Sequence, residues 1–165
     1  WMLGSVFFMV SPAVSTALFS AAATNGVDDA LVLRSLKLIL GLLALPIVAY
    51  LVGGRLLLLV FGPEYAKAGA ALLVLLTLSS IPDALTNVVV AVLRASNRMA
   101  AAIWLNLAMA VFVVVMSWIT LPTWGIDAVG IWWLAAQSLG ALVTLVFWRK
   151  IVPAKTSAPL ERSAE

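Results

Sequence analysis

Cysteine and histidine are absent from this 165-residue chain, and only 10% of its residues are charged. Without cysteine there is no disulfide and no thiolate nucleophile, and without histidine as well the common zinc ligand sets are lost. The shortage of charge excludes a water-soluble domain, which would carry about 25% charged residues. What fills the space is apolar: 64% of the residues are hydrophobic and the mean hydropathy is +1.15. A chain this short cannot hide so much apolar surface inside itself, so the solvent for most of it is lipid. The net charge of +3 carries no nucleic-acid footprint. Lysine and arginine gather at the ends of apolar runs and form no basic stripe with interleaved aromatics. No metal, cofactor or nucleic-acid partner is implied.

The apolar runs are long and continuous. A helix needs about 20 mostly apolar residues to cross about 30 Å of hydrocarbon, and five stretches serve: 2–22, 36–52, 67–93, 99–121 and 128–148. None shows the two-residue alternation of an outer-membrane barrel, so the fold class is all-α integral membrane. Between the first two spans lies "TNGVDDALVLRSLK", a polar break that turns amphipathic. There Val27, Leu31, Ser35 and Leu38 share one helix face, opposite Asp28 and Asp29. "GGRLLLLVFGPEY" is expected to form a turn and a short apolar piece ending at Gly62, with Pro63 and Glu64 opening the next helix. The segment 149–165 is polar and proline-bearing and is expected to be a disordered tail. The opening "WMLGSVFFMV" has neither a basic leader nor a small-residue cleavage site. An apolar run that starts on Trp1 reads as a piece of a longer protein.

Several polar residues fall inside these spans. Asp83, in "SSIPDALTNVVV", lies near the middle of the third span, where a charged aspartate costs about 2.5–3.5 kcal/mol on insertion scales. Two roles can offset that cost. Ser80 and Asp83 form the S-x-x-D pair of a capping box beside Pro82, and a helix broken there would gain a carboxylate at its new amino terminus. Alternatively Ser79, Asp83 and Asn87, each one turn apart, make a polar stripe, and Asp83 becomes a candidate for ion coupling. Asn106 and Gln137 are expected to hydrogen-bond between helices. Together these polar groups lack enough partners within five spans, so further protein surface is expected to cover them. Pro12, Pro46 and Pro82 lie mid-span, each removing one backbone hydrogen bond and making its helix kinkable. The small residues Gly69, Ala70 and Ala71, and Ala135, Ala136 and Gly140, permit close helix packing.

Three segments in order carry a family resemblance: "LVFGPEYAKAGAALLVLL", "IPDALTNVVVAVLRASNR" and "LPTWGIDAVGIWWLAAQ". Phe61, Gly62 and Tyr65 fit an FG-x-x-Y turn, and Leu93, Arg94, Ala95 and Arg98 fit an L-R-A-x-x-R turn. Gly125, Ile126 and Ala128 fit a G-I-x-x-A helix start, with Ala128 standing where many relatives have a second glycine. Over residues 4–148 the chain resembles the C-terminal lobe of polysaccharide flippases in the multidrug/oligosaccharidyl-lipid/polysaccharide exporter superfamily. The resemblance implies five of the six helices of one lobe of a two-lobe transporter, the N-terminal lobe lying elsewhere in the same chain. It implies an undecaprenyl-pyrophosphate-linked oligosaccharide as substrate, moved across the bacterial plasma membrane by alternating access, with membrane lipids as the other partners. The first span would line the central cavity, making Ser5, Ser11 and Ser15, in a stripe with Ser20, candidate glycan contacts. The stripe of Ser79, Asp83 and Asn87 would face that cavity, and Arg94 and Arg98 would either meet the carrier's diphosphate or simply fix topology. A lipid II flippase or a multidrug/cation antiporter of the same superfamily is the alternative.

An enzyme is not expected. The loops are too short to present a catalytic constellation, and Asp28 and Asp29, adjacent on a helix, face apart. A membrane-bound glycan-assembly enzyme and a non-transporting scaffold remain the rival classes. Orientation follows from lysine and arginine. The tail carries Arg149, Lys150, Lys155 and Arg162, and "RASNR" carries Arg94 and Arg98, whereas "PTWGID" has no basic residue. The tail and "RASNR" are therefore expected in the cytoplasm and "PTWGID" outside. The loops bearing Arg34 with Lys37 and Arg55 with Lys67 give no bias of their own. Reporter fusions after Ser96, Thr123 and Leu160 check the assignment, with periplasmic activity expected only after Thr123. Periplasmic activity after Leu160 would contradict it.

Overall fold

The computed structural model describes residues 2–25, 27 and 29–148, with side chains from Met9 onward except those of Ala23, Asn25 and Tyr65. The expected tail, the side chain of Ser5 and the Tyr65 ring of the FG-x-x-Y turn lie outside that description. Five helices make up the described chain: α1 (Met2–Asn25), α2 (Asp29–Leu59), α3 (Pro63–Ala95), α4 (Met99–Trp124) and α5 (Asp127–Val146). The helices α2 to α5 are each long and apolar enough to cross a membrane, and α1 is apolar over Met9–Ala22. The chain is thus an all-helical protein of membrane-embedded character.

The helix ends follow from local chemistry. Gly62, at φ 118°, occupies backbone space that only glycine enters freely, and Pro63 then presets the first turn of α3. At the other end of α3, Asn97 takes the left-handed conformation, φ 57°. The Arg98 amide bonds to Leu93 O at 2.8 Å and the Asn97 amide to Arg94 O at 3.1 Å, the two bonds of a Schellman stop. Gly125, at φ 62°, reverses the chain between α4 and α5.

The expected break at "GGRLLLL" is absent. Helix α2 runs without interruption from the amphipathic segment through Gly53, Gly54 and the leucines to Leu59. In an apolar setting no water takes up the backbone groups a break would free, so two glycines do not end a helix here. Gly54 instead gives room: a Cβ there would lie 2.9 Å from Leu73 Cδ2 of α3. The buried face of α2 also differs from the expected one. Val32, Ile39 and Leu43 are fully enclosed, Leu31 and Ser35 are half-buried, and Leu38 is exposed.

Helix α3 packs against each of the other four. Its contacts fix the directions of its neighbours. Gly130 of α5 sits against Leu72 and Leu75, and Gly140 against Thr86, so α3 and α5 run parallel. Gly140 also meets Met109, and Trp132 meets Thr120, so α4 and α5 are antiparallel. The main apolar cluster joins Leu18 of α1, Ile39 and Leu43 of α2, and Ala84, Val88 and Val92 of α3. Outward faces stay apolar and open, with Val52, Leu45 and Trp118 about four-fifths exposed (82%, 79% and 81%), as lipid contact requires.

These directions gather charge unequally. Arg34 and Lys37, near the start of α2, come to the same end of the bundle as Arg94 and Arg98, where Asp29 is the described acid. The opposite end holds Arg55 and Lys67 with Glu64 and Asp127. The first of the two loops that gave no bias in the sequence therefore joins the basic end.

Lipid tails are as apolar as leucine, so association within the bundle rests on close van der Waals packing. Small residues on α5 supply it: Ala128, Gly130, Ala136 and Gly140 are buried, Gly130 against α3 and Gly140 against α3 and α4. A Cβ on Gly140 would stand 2.8 Å from Met109 Sδ and 3.0 Å from Thr86 Cγ2, whereas one on Gly41 would meet nothing within 4 Å. Gly140→Val is therefore expected to destabilise the full-length protein by about 1–3 kcal/mol. Gly41→Ala should be neutral or stabilising by up to about 1 kcal/mol. Thermal unfolding in detergent checks both, and equal effects would refute this packing.

Candidate functional site

Polar side chains are concentrated in the interior of the bundle on one stretch of α3. Thr77, Ser79, Ser80, Asp83 and Thr86 are all buried, and Gln137 of α5 and Ser11 and Ser15 of α1 are buried too. Among the described residues Asp83 is the one ionisable side chain in the buried interior, with 5% of its surface exposed.

The carboxylate looks both ways. Toward α5, Gln137 Nε2 donates to Asp83 Oδ1 at 3.1 Å. The other end of the same amide accepts from Thr86 Oγ1 at 2.8 Å, so one glutamine joins two positions a turn apart on α3. The Thr86 hydroxyl also lies 2.7 Å from Pro82 O, and its single proton serves one acceptor at a time. Toward α1, the Ser11 hydroxyl faces the carboxylate, yet Asp83 Oδ2, Ser11 Oγ and Ser15 Oγ are buried without a hydrogen-bond partner. Ser11 of α1 and the Asp83 carboxylate thus meet between α1 and α3 without a well-formed hydrogen bond.

Several sequence expectations are corrected by this geometry. The capping box does not form, because α3 continues through Pro82 and creates no new amino terminus. Ser80 Oγ instead donates to Thr77 O at 2.6 Å, within its own helix. Within these five helices the stripe of Ser79, Asp83 and Asn87 is largely covered by neighbouring helices. Ser79 is enclosed and bonds to Leu76 O at 2.8 Å, and Asn87, half-buried, bonds to Asp83 O at 3.0 Å. The expected shortage of partners remains at Asp83 Oδ2, whereas the mid-helix asparagine amides return to a carbonyl one turn back. Asn106 does so, bonding to Ala102 O at 3.1 Å on its own helix, and is therefore not an interhelical link. Gln137 is one. The serine stripe of α1 splits: Ser11 and Ser15 are buried, while Ser20 is exposed and bonds to Thr16 O at 3.1 Å.

Arg94 and Arg98 are exposed at the α3–α4 turn, on the basic end and away from Asp83. Thr86 was missed by the sequence reading, although Asp83 and Thr86, three apart on a helix, necessarily share a face. Among the described residues no group of three acidic, cysteine or histidine side chains could hold a metal ion.

At the opposite end, Trp132 donates from Nε1 to Thr120 Oγ1 at 2.8 Å and stacks on Trp124 with centroids 6.0 Å apart. Such a tryptophan cluster at a helix turn has the makings of an interfacial belt. Comparison with protein-family profiles, with curated proteins and with solved structures finds no match for this chain.

Proposed function

We propose that this chain is a lobe of a membrane transporter that moves a lipid-linked oligosaccharide across the bacterial plasma membrane by alternating access. The observation that carries a transport role is the buried Asp83 carboxylate, bonded to Gln137 of α5 on one side and facing Ser11 of α1 on the other. An anchor or scaffold gains nothing from a carboxylate in its interior, where an incompletely bonded polar group costs about 1–3 kcal/mol. Helices that exchange neighbours during a cycle do gain, because the same atoms find partners in the other arrangement. Pro82, one residue before Asp83, loosens α3 at that level by removing one backbone hydrogen bond. The glycan substrate class rests on the resemblance of the three ordered motifs to polysaccharide flippases. The basic end, with Arg34, Lys37, Arg94 and Arg98, is assigned to the cytoplasm by the positive-inside rule.

Asp83 serves in this reading first as the group that Gln137 ties to α5. Its unpaired Oδ2 favours a second reading, in which the carboxylate binds a coupling ion. In a strain lacking its own lipid-linked-glycan flippase, residues 1–165 joined to the N-terminal lobe that the resemblance implies are expected to restore surface glycan, and residues 1–165 alone are not. Asp83→Asn keeps an acceptor for Gln137, so normal membrane abundance and most export are expected, while Asp83→Ala should lower abundance. Normal abundance of Asp83→Asn with no export would transfer the residue to the coupling role. Full insertion of the two-lobe protein with no restored glycan would overturn the proposed substrate class.

A further inference from the structure

A cleft of about 440 Å³ opens on the side of the bundle between α2, α3 and α5, with Leu40, Ile81, Pro82, Leu85, Ser138 and Leu142 in its walls. It lies in the half of the bundle that leads to the basic end, since it runs from Pro82 and Ser138 toward Leu36 near the start of α2 and Leu145 near the end of α5. Its walls are almost entirely aliphatic, as an acyl chain requires. A basic residue, Lys37, follows the lining residue Leu36 directly on α2. Leu33, Leu36, Lys37 and Leu40 recur at the spacing of a single helix face, so Lys37 shares the face of α2 that supplies Leu36 and Leu40 to the cleft. Lys37 is exposed, and side chains on a helix lean toward its amino terminus. The ammonium is therefore carried toward the basic end, where Arg34 stands one turn nearer the membrane surface. The stem of the lysine can lie along apolar surface while its head meets the headgroup layer.

We propose that this cleft is a binding site for one anionic phospholipid, its acyl chain between α2, α3 and α5 and its headgroup phosphate at Lys37. The site adjoins the buried polar group through shared backbone. Pro82 and Ser138 face the lipid, and their neighbours Asp83 and Gln137 face each other inside. A bound chain thus braces the two helices that the Asp83–Gln137 bond joins. This inference stands independently of the transport reading, since it needs only the cleft and the basic residue at its mouth.

The test uses the full-length protein in neutral detergent, titrated with dioleoylphosphatidylglycerol, dioleoylphosphatidylcholine or sodium phosphate and followed by native mass spectrometry. One phosphatidylglycerol per chain is expected to bind about fivefold more tightly than phosphatidylcholine, the worth of one basic residue near an anionic headgroup. Phosphate alone should add nothing. Lys37→Gln should remove the preference without changing helicity by circular dichroism. Ser138→Phe should lower retention of both lipids, and Ser138→Leu, a smaller filling, serves if the phenylalanine variant does not fold. Equal retention of the two lipids by the parent protein, or an unchanged preference in Lys37→Gln, would overturn the proposal. So would a photo-crosslinker at position 138 that captures another segment of the chain in place of lipid.

Discussion

A carboxylate in the middle of an apolar bundle must be held by other protein groups, and the packing around α3 follows from that constraint. Asp83 is 95% removed from solvent contact on a helix that touches all four others. Its one interhelical hydrogen bond comes from Gln137, 54 residues away on α5. To bring that amide within 3.1 Å, α5 must lie close along α3. Gly130 and Gly140, on either side of Gln137, make the approach possible because each leaves no room for a side chain. The polar bond and the small residues are thus one device: neither fits without the other.

Much of the architecture was legible in the sequence, and for a physical reason. Lipid forces every backbone polar group to be satisfied within its own segment, so long apolar runs had to be helices, and the turns between them announce themselves through Gly62-Pro63, Asn97 and Gly125. The same force explains the chief error. Gly53 and Gly54 read as a turn by the habits of soluble proteins, whereas breaking α2 in lipid would expose amides and carbonyls that nothing could bond.

The site was legible only residue by residue. Gln137 was recognisable as an interhelical bond because a mid-span amide seeks a partner, but its partner is set by helix packing and by no local pattern. Asp83 stood out for its charge alone, and the local motif around it, Ser80 to Asp83, misled. Proline removes a single hydrogen bond from α3 and leaves the helix continuous, so there are no freed amides for a capping carboxylate to meet. Thr86 was overlooked because threonine in a membrane helix so often bonds to its own backbone, as Thr77 and Thr120 do here.

The unpaired oxygens on the α1 side and the satisfied ones on the α5 side divide the bundle into two contacts of different character. The α3–α5 contact is closed by small residues and the Gln137–Asp83 hydrogen bond, while at the α1–α3 contact Ser11 faces the carboxylate without a well-formed bond. In the proposed transport role, such a division would separate a fixed pair from a helix free to change its neighbours. The most direct measurement is a double-mutant cycle on unfolding in detergent, with Asp83→Ala, Gln137→Ala and the two combined. A fixed α3–α5 pair predicts a coupling energy of about 0.6 kcal/mol, the average of interhelical hydrogen bonds in a membrane protein, and at most about 1.7 kcal/mol. Effects that simply add, within about 0.3 kcal/mol, would show that the two residues do not hold the helices together and would contradict the account.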